Sequence, residues 1–200
     1  MAETKLLLFN KWDLSGVVVS DAGLKKYVNL TPIIVPRTYG RFASGFDKNR
    51  MSIVERFINK LMVPGHRGKK HKITSGRCPA STNAIYLSVK KAFEMIEGRT
   101  KQNPVQVLVK AIENSATLEE IAAYRLGGII ARQAVTTSPQ RRVDLALRHL
   151  TQGIYKSCFK SRKPAAEVIA DELIAASSGD PKSFAIQERN RIEREAEGAR

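Results

Sequence analysis

A pair of adjacent glycines, Gly127-Gly128, constrains the fold of this chain more than any other feature of its sequence. Glycine reaches positive φ at little steric cost, so such a pair between apolar neighbours indicates the turn of a β-hairpin. The two strands are predicted at about residues 121–126 and 130–136. Ser138-Pro139 follows at once, and this dipeptide is typical of a helix N-cap with proline at the first helical position. A hairpin is therefore predicted to lead directly into a helix.

Two arginines, Arg141 and Arg142, fall in the first turn of that predicted helix. Cations at a helix N-terminus oppose the macrodipole and are usually unfavourable there. Their position therefore predicts an anionic partner outside the chain.

The rest of the chain after residue 50 is dominated by helical spacing of apolar residues. By contrast, residues 1–50 show no sustained period, and only Val17-Val18-Val19 could form a single strand. The predicted fold is mainly α: a bundle of about six helices with one protruding β-hairpin at about 121–136, whose turn would lie roughly 20 Å outward. Residues 1–50 form an irregular N-terminal extension and residues 51–200 the helical domain. The first helix is predicted to begin after Ser52 and to stop at Pro64-Gly65, the second to end at Gly98, and the third to begin at Asn103-Pro104. The fourth is predicted from Pro139 to about Ser161, the fifth begins at Pro164, and the sixth spans about 183–197.

The formal net charge of +15 is concentrated in two segments. Residues 37–77 hold eleven Lys or Arg against two acids, and residues 125–163 hold nine against Asp144 alone. Two basic blocks on an otherwise balanced chain imply a field directed at a partner, most often nucleic acid. A membrane partner is not expected, because the sequence has neither an apolar insertion face nor a run of ~20 apolar residues. Without a signal peptide and with only two cysteines, the chain is expected to be cytoplasmic.

The candidate RNA-contacting residues come from both basic blocks. The loop His66–Lys72 is suited to phosphate contacts, and Tyr39–Phe46 interleaves aromatic residues with arginine and glycine, which suits stacking on bases. Packing is the alternative for Phe42 and Phe46. Arg141, Arg148 and Lys156 recur at about two helical turns, which predicts a basic stripe. The full set of candidates is Arg37, Arg41, Lys48, Arg50, Arg67, Lys69, Lys70, Lys72, Arg77, Arg125, Arg141, Arg142, Arg148 and Lys156.

No pattern in the sequence favours an enzyme or a cofactor. The loop His66–Lys72 lacks the residue spacing of a nucleotide-binding P-loop. The spacing of His66, His71 and Cys78 does not match that of ligands in a structural metal site. Asp171-Glu172 has no histidine nearby in the sequence with which to act. The alternative to RNA binding is a helical DNA-binding or chromatin protein that uses the same basic faces; such a protein should prefer B-form duplex DNA.

With these features in place, the chain resembles the universal small-subunit ribosomal protein seven family, called small-subunit protein five in eukaryotic ribosomes. The resemblance covers about residues 50–197, and the motifs of this chain are similar to those of the archaeal and eukaryotic branch of the family. One departure is Ala116–Glu120, where eukaryotic members carry Pro-Arg. The matching motifs are Arg125-Leu126-Gly127-Gly128, Pro139-Gln140-Arg141-Arg142, Arg132–Val135, Ile53–Arg56, Asn103-Pro104 with Val107–Val109, Asp171–Ile174, Ser183–Ile186, Leu8–Trp12 and Gly40–Phe42.

The resemblance implies a non-enzymatic protein of the small ribosomal subunit that binds the head, or 3′ major, domain of the rRNA and nucleates its assembly. It implies that Arg67, Lys69, Lys70 and Lys72 hold rRNA after the first helix, and that Arg141, Arg142 and Arg148 do so along the fourth. No DNA, metal or cofactor is expected. It also implies that a hairpin finger lies beside the exit-site tRNA and the mRNA exit path, next to the ribosomal protein of the platform. The residues of that finger are Gly127, Gly128, Ile129, Ile130 and Arg132.

Overall fold

The computed structural model describes residues 6–42, 47–64 and 81–200. Within them, six α-helices and one two-stranded antiparallel sheet follow one another along the chain, which confirms the predicted mainly helical fold with a single hairpin. A short 3-10 turn, Asp47–Arg50, precedes the first helix. The elements are α1 (Ile53–Met62), α2 (Thr82–Thr100), α3 (Pro104–Ser115), β1 (Glu119–Leu126), β2 (Ile129–Thr136), α4 (Pro139–Cys158), α5 (Ala165–Ser177) and α6 (Phe184–Glu197).

Local signals set the start of α3 and the end of α2. The Asn103 side chain accepts a hydrogen bond from the backbone N–H of Val105 at 3.0 Å, ahead of proline in the first turn of α3. The predicted end of α2 at Gly98 is wrong, because a glycine inside a helix weakens it without stopping it. The helix instead ends at Lys101, whose φ of 56° is left-handed and whose N–H donates to the Glu97 carbonyl.

The predicted hairpin is confirmed, and each strand has eight residues. Gly127 and Gly128 have φ values of 53° and 95°, as a type I′ turn requires. The base of the hairpin packs against α6, and the Leu118 N–H donates to Glu193 Oε1 of that helix at 3.0 Å. Arg200 also pairs with Glu119 at 2.5 Å. The base is thus held to the body while the turn extends away from it.

The core lies between the helices, with α5 packed against α2, α3 and α4. Residues 8–28 belong to the same core, because Phe9 and Trp12 are buried in edge-to-face contact with Phe93 of α2. The predicted strand at 17–19 does not form. The Gln106 side-chain amide instead makes two hydrogen bonds with the backbone of Val18, at 2.8 and 2.9 Å, in place of a partner strand.

Candidate RNA-binding surface

A depression of about 440 Å³ between α1 and α4 brings cations together from three parts of the chain. Lys48 comes from the turn before α1, Lys60 from the last turn of α1, and Arg148 from α4. We call this region the α1–α4 depression. Buried Arg56 lies at its floor, where its side chain is only 5% exposed.

Asp144 is the single acid that lines the α1–α4 depression among the described residues, and two cations already share it. Arg56 Nη2 donates to one carboxylate oxygen at 2.9 Å, and Lys48 contacts the other. Arg56 also donates to the Tyr27 carbonyl at 2.8 Å, which fixes the guanidinium in the protein interior. Asp144 is therefore shared by Arg56 and Lys48, and the depression has no second acid for the other cations among the described residues.

Lys60 and Arg148 form no ion pair within the described part of the chain. Partial burial lowers the pKa of Lys60, and repulsion by Arg148 and Lys48 lowers it further, while Asp144 raises it. An anion that binds between neighbouring cations lowers their electrostatic free energy, because it relieves the repulsion between them. The depression is therefore electrostatically suited to bind phosphate.

The two arginines at the start of α4 each pair with an acid that is distant in sequence. Arg141 makes a bidentate pair with Glu120 of β1, at 2.6 and 2.7 Å, and keeps 53% of its side chain exposed. Arg142 is 12% exposed and donates to Asp21 at 2.8 Å. Acids distant in sequence therefore supply negative charge to both arginines, and their contact with an anion outside the chain stays a prediction.

The pair with Arg142 also alters the titration of Asp21. Burial alone would raise the pKa of Asp21, but hydrogen bonds from Arg142 and from the Gly23 N–H lower it below its ordinary value. Arg142 is thereby committed to the interior, whereas Arg141 remains accessible to a competing anion.

The predicted basic stripe along α4 is wrong at its last member, Lys156. Eight residues of helix rotate the side chain by roughly 80°, so Arg148 and Lys156 point in different directions. Arg148 lies beside Lys60 of α1, whereas the Lys156 ammonium lies 5.3 Å from the ring of Phe184 at the start of α6. Arg148 and Lys156 therefore lie on different sides of α4.

Other candidates of the first basic block lie on the surface. The Arg37 guanidinium lies 4.6 Å from the ring centre of Tyr39, and Arg41 is exposed beside it. Arg50 is largely exposed, with Asp47 at 3.8 Å. Five RNA-contact candidates lie outside the described residues: Arg67, Lys69, Lys70, Lys72 and Arg77. The three residues considered for metal binding, His66, His71 and Cys78, also lie outside them.

The hairpin has two chemically different faces. Arg125 pairs across the strands with Ile130, and Arg132 lies two residues further along β2 on the same face. Tyr124 and Ile129 lie on the opposite face, and Ile129 is 74% exposed. One face therefore carries two exposed cations beside Ile130, which is 65% exposed, and the other carries exposed apolar surface. A Cβ added at Gly127 or Gly128 would have no described atom within 4 Å.

Sequence reasoning missed Lys60 and the Arg56–Asp144 pair. Lys60 lies in the first basic block, but it stands within an amphipathic helix whose apolar residues alone were used to assign it. The signal that could have identified it is a basic residue of the first basic block at the edge of the apolar face of α1, seven residues after Ile53. No helix in the described ranges is long and apolar enough to cross a membrane.

The chain is similar to known proteins along almost its whole length. The sequence profile of the family described as ribosomal protein S7p/S5e matches residues 24–200. The protein named small ribosomal subunit protein uS7 from Methanosphaera stadtmanae is 46% identical over 194 residues, which cover 96% of this chain and 97% of the relative.

Two further archaeal relatives carry the same name. The protein from Methanoregula boonei is 44% identical over 199 residues, covering 99% of this chain and 92% of the relative. The protein from Nanoarchaeum equitans is 44% identical over 197 residues, covering 98% and 100%. Such similarity across nearly complete chains defines family membership, and the family is structural and non-enzymatic. The chain therefore belongs to the ribosomal protein S7p/S5e family, within its archaeal branch.

Proposed function

We propose that this protein is a structural component of the small ribosomal subunit that binds the head domain of the rRNA and nucleates the assembly of that domain. The observation that carries the rRNA contact is the α1–α4 depression, where Lys60 and Arg148 lie together without an ion-pair partner among the described residues. An RNA backbone supplies the phosphates that this arrangement favours. The protein is expected to act while bound to the ribosome in the cytoplasm.

The direct test is the salt dependence of binding to a head-domain rRNA fragment. We expect the double variant Lys60→Ala with Arg148→Ala to bind more weakly and to lower the log-log salt slope by about 1.4 to 1.8, since each phosphate contact contributes about 0.7 to 0.9. The matched control is Lys91→Ala with Lys110→Ala, which removes the same charge from α2 and α3 outside both basic blocks. If both double variants lower the slope equally, the depression is not the phosphate site.

We assign a separate role to the hairpin. Its tip carries Arg125 and Arg132 on one face and Ile129 on the other, away from the body of the protein, which suits contact with the exit-site tRNA, the mRNA exit path and the platform protein. Replacing residues 123–132 with a two-residue turn keeps the base contacts of Leu118 and Glu119. We expect this variant to keep its affinity for the rRNA fragment but to change exit-site tRNA retention and reading-frame maintenance in assembled subunits. Loss of rRNA affinity would instead place rRNA contacts on the hairpin.

A further inference from the structure

A second cavity lies on the other side of α1, between residues 35–42 and the start of α2, and neither basic block explains it. Its volume is about 630 Å³, within the ~300–1,000 Å³ usual for small-ligand sites. Three aromatic side chains, Tyr39, Phe42 and Tyr86, line it together with the carboxylate of Glu55. The cavity therefore combines flat apolar surface with a small number of polar groups.

Tyr39 is held in an unfavourable backbone conformation without any burial to offset it. Its φ of 51° is left-handed, which is uncommon for a bulky residue, and its side chain is 80% exposed. Conformations of this kind cost free energy and concentrate at functional sites. The Arg37 guanidinium covers one side of the ring at 4.6 Å, so the large exposed fraction leaves ring surface available for stacking.

Glu55 is 3% exposed, and the structure uses only one of its two oxygens. Oε1 accepts hydrogen bonds from the Thr38 backbone N–H at 2.7 Å and from the Thr38 hydroxyl at 2.8 Å, which fix the segment that carries Tyr39. Oε2 is buried and has no donor among the described residues. Buried oxygens are nearly always hydrogen-bonded, so this oxygen is a specific place for a donor from a ligand.

The charge around the cavity favours an anionic ligand that also carries a ring and a donor. Arg37 lines the cavity, and Arg41 is exposed in the same segment of chain. Neither forms an ion pair within the described ranges, and Glu55 is the one acid among the described lining residues. A nucleotide of single-stranded RNA meets all three requirements, because its base stacks, its edge donates and its phosphate is anionic.

Guanine is the base that fits a lone carboxylate oxygen best. Its N1–H and N2–H donors are adjacent, so both can point at one acceptor. Adenine and cytosine place an acceptor nitrogen beside their amino group, and uracil flanks its N3–H with two carbonyls that would repel a carboxylate. We propose that this cavity binds one unpaired guanine of RNA, stacked on Tyr39 with its donor edge toward Glu55. The inference rests on the proposed RNA-binding function and deepens it.

The test measures the affinity of the full-length protein for four labelled pentanucleotides, UUGUU, UUAUU, UUCUU and UUUUU, by fluorescence anisotropy. We expect UUGUU to bind roughly tenfold more tightly than the others, as one well-formed set of base-edge hydrogen bonds allows. Tyr39→Ala should weaken the binding of UUGUU roughly five- to hundredfold, because one base stacked on one aromatic ring contributes a change of that size in affinity. The matched control, Phe159→Ala, removes an exposed aromatic residue at the C-cap of α4, outside the hairpin and the cavity, and should leave the affinity for UUGUU unchanged.

Glu55→Gln tests the donor edge separately. Its amide oxygen would take the place of Oε1 at Thr38, so its NH₂ group would replace the acceptor Oε2 with a donor. We expect the preference for UUGUU to disappear while binding of the other pentamers persists. Retained preference in Glu55→Gln overturns the assignment of guanine, and equal binding of all four pentamers by the unmodified protein, or no effect of Tyr39→Ala, overturns the cavity as a base site.

Failure of this inference and failure of the proposed function give different results. If the head-domain fragment binds with a salt slope that depends on Lys60 and Arg148 while the pentamers show no preference, only the cavity inference is wrong. If the pentamer preference is present but the head-domain fragment does not bind, the cavity inference is supported and the proposed function is wrong.

Discussion

His149 makes a measurable prediction about acid stability, because it is buried in α4 without a hydrogen-bond partner for either ring nitrogen among the described residues. Burial lowers its pKa from 6.5 to about 4; Glu188 opposes this shift, and Arg148 and Arg191 reinforce it. The folded protein therefore holds the imidazole neutral at pH values where the unfolded chain binds a proton.

The sign of the effect follows from proton linkage. The contribution of His149 is fully present above pH 6.5, the ordinary pKa of the unfolded chain, and is lost as the pH falls toward the folded pKa of about 4. The slope approaches 1.4 kcal/mol per pH unit, roughly, between these limits. We expect a loss of about 2 kcal/mol in the free energy of unfolding between pH 7 and pH 4.5 from this residue alone.

The assay is urea denaturation at pH 7, 5.5 and 4.5, with the His149→Leu variant as the comparison. Leucine fills similar buried space without a titratable group, so the variant should lose less stability on acidification, by about 2 kcal/mol. Acidic groups such as Asp21, Asp171 and Glu172 titrate in both proteins, and their contributions cancel in the difference. Parallel pH profiles for the two proteins would refute the reasoning.

Two further predictions concern packing and charge. Gly153→Ala should destabilise the protein by about 1–3 kcal/mol in urea denaturation, because its Cβ would lie 2.8 Å from the first side chain of α6. The matched Gly98→Ala variant, with nothing within 4 Å, should instead stabilise by about 0.5–1 kcal/mol; equal effects at both sites would contradict the close approach. Glu120→Gln should strengthen binding to head-domain rRNA, because it frees the exposed Arg141 from its intramolecular partner. Unchanged affinity would mean that Arg141 does not contact the RNA.

The helices and the hairpin could be predicted from the sequence because their signals are local. The cap at Asn103-Pro104 and the turn at Gly127-Gly128 each depend on residues within one helical turn or one hairpin loop. The wrong end of α2 at Gly98 shows the limit of such signals, since glycine permits a helix end but does not impose one. The end required a left-handed residue three positions later, at Lys101.

The candidate site could be predicted only in part, because charge neutralisation depends on distance in space. The helix macrodipole acts on Arg141 and Arg142 from their own helix, whereas their partners Glu120 and Asp21 lie 21 and 121 residues away in sequence. Lys60 was missed for the same reason. Nothing in the sequence near it indicates that Arg148 will lie beside it.

By itself, the sequence determined that this protein has two basic blocks, a mainly helical body and a glycine-turned hairpin, because composition, periodicity and turn chemistry act over a few residues. Only the tertiary structure decided which cations remain available to RNA. Arg142 and Arg56 are committed to Asp21 and Asp144, while Lys60 and Arg148 are left without an acid among the described residues. The physical reason is that an ion pair is strong only when its charges lie a few ångströms apart. Folding sets the distance between charges that are far apart in the chain.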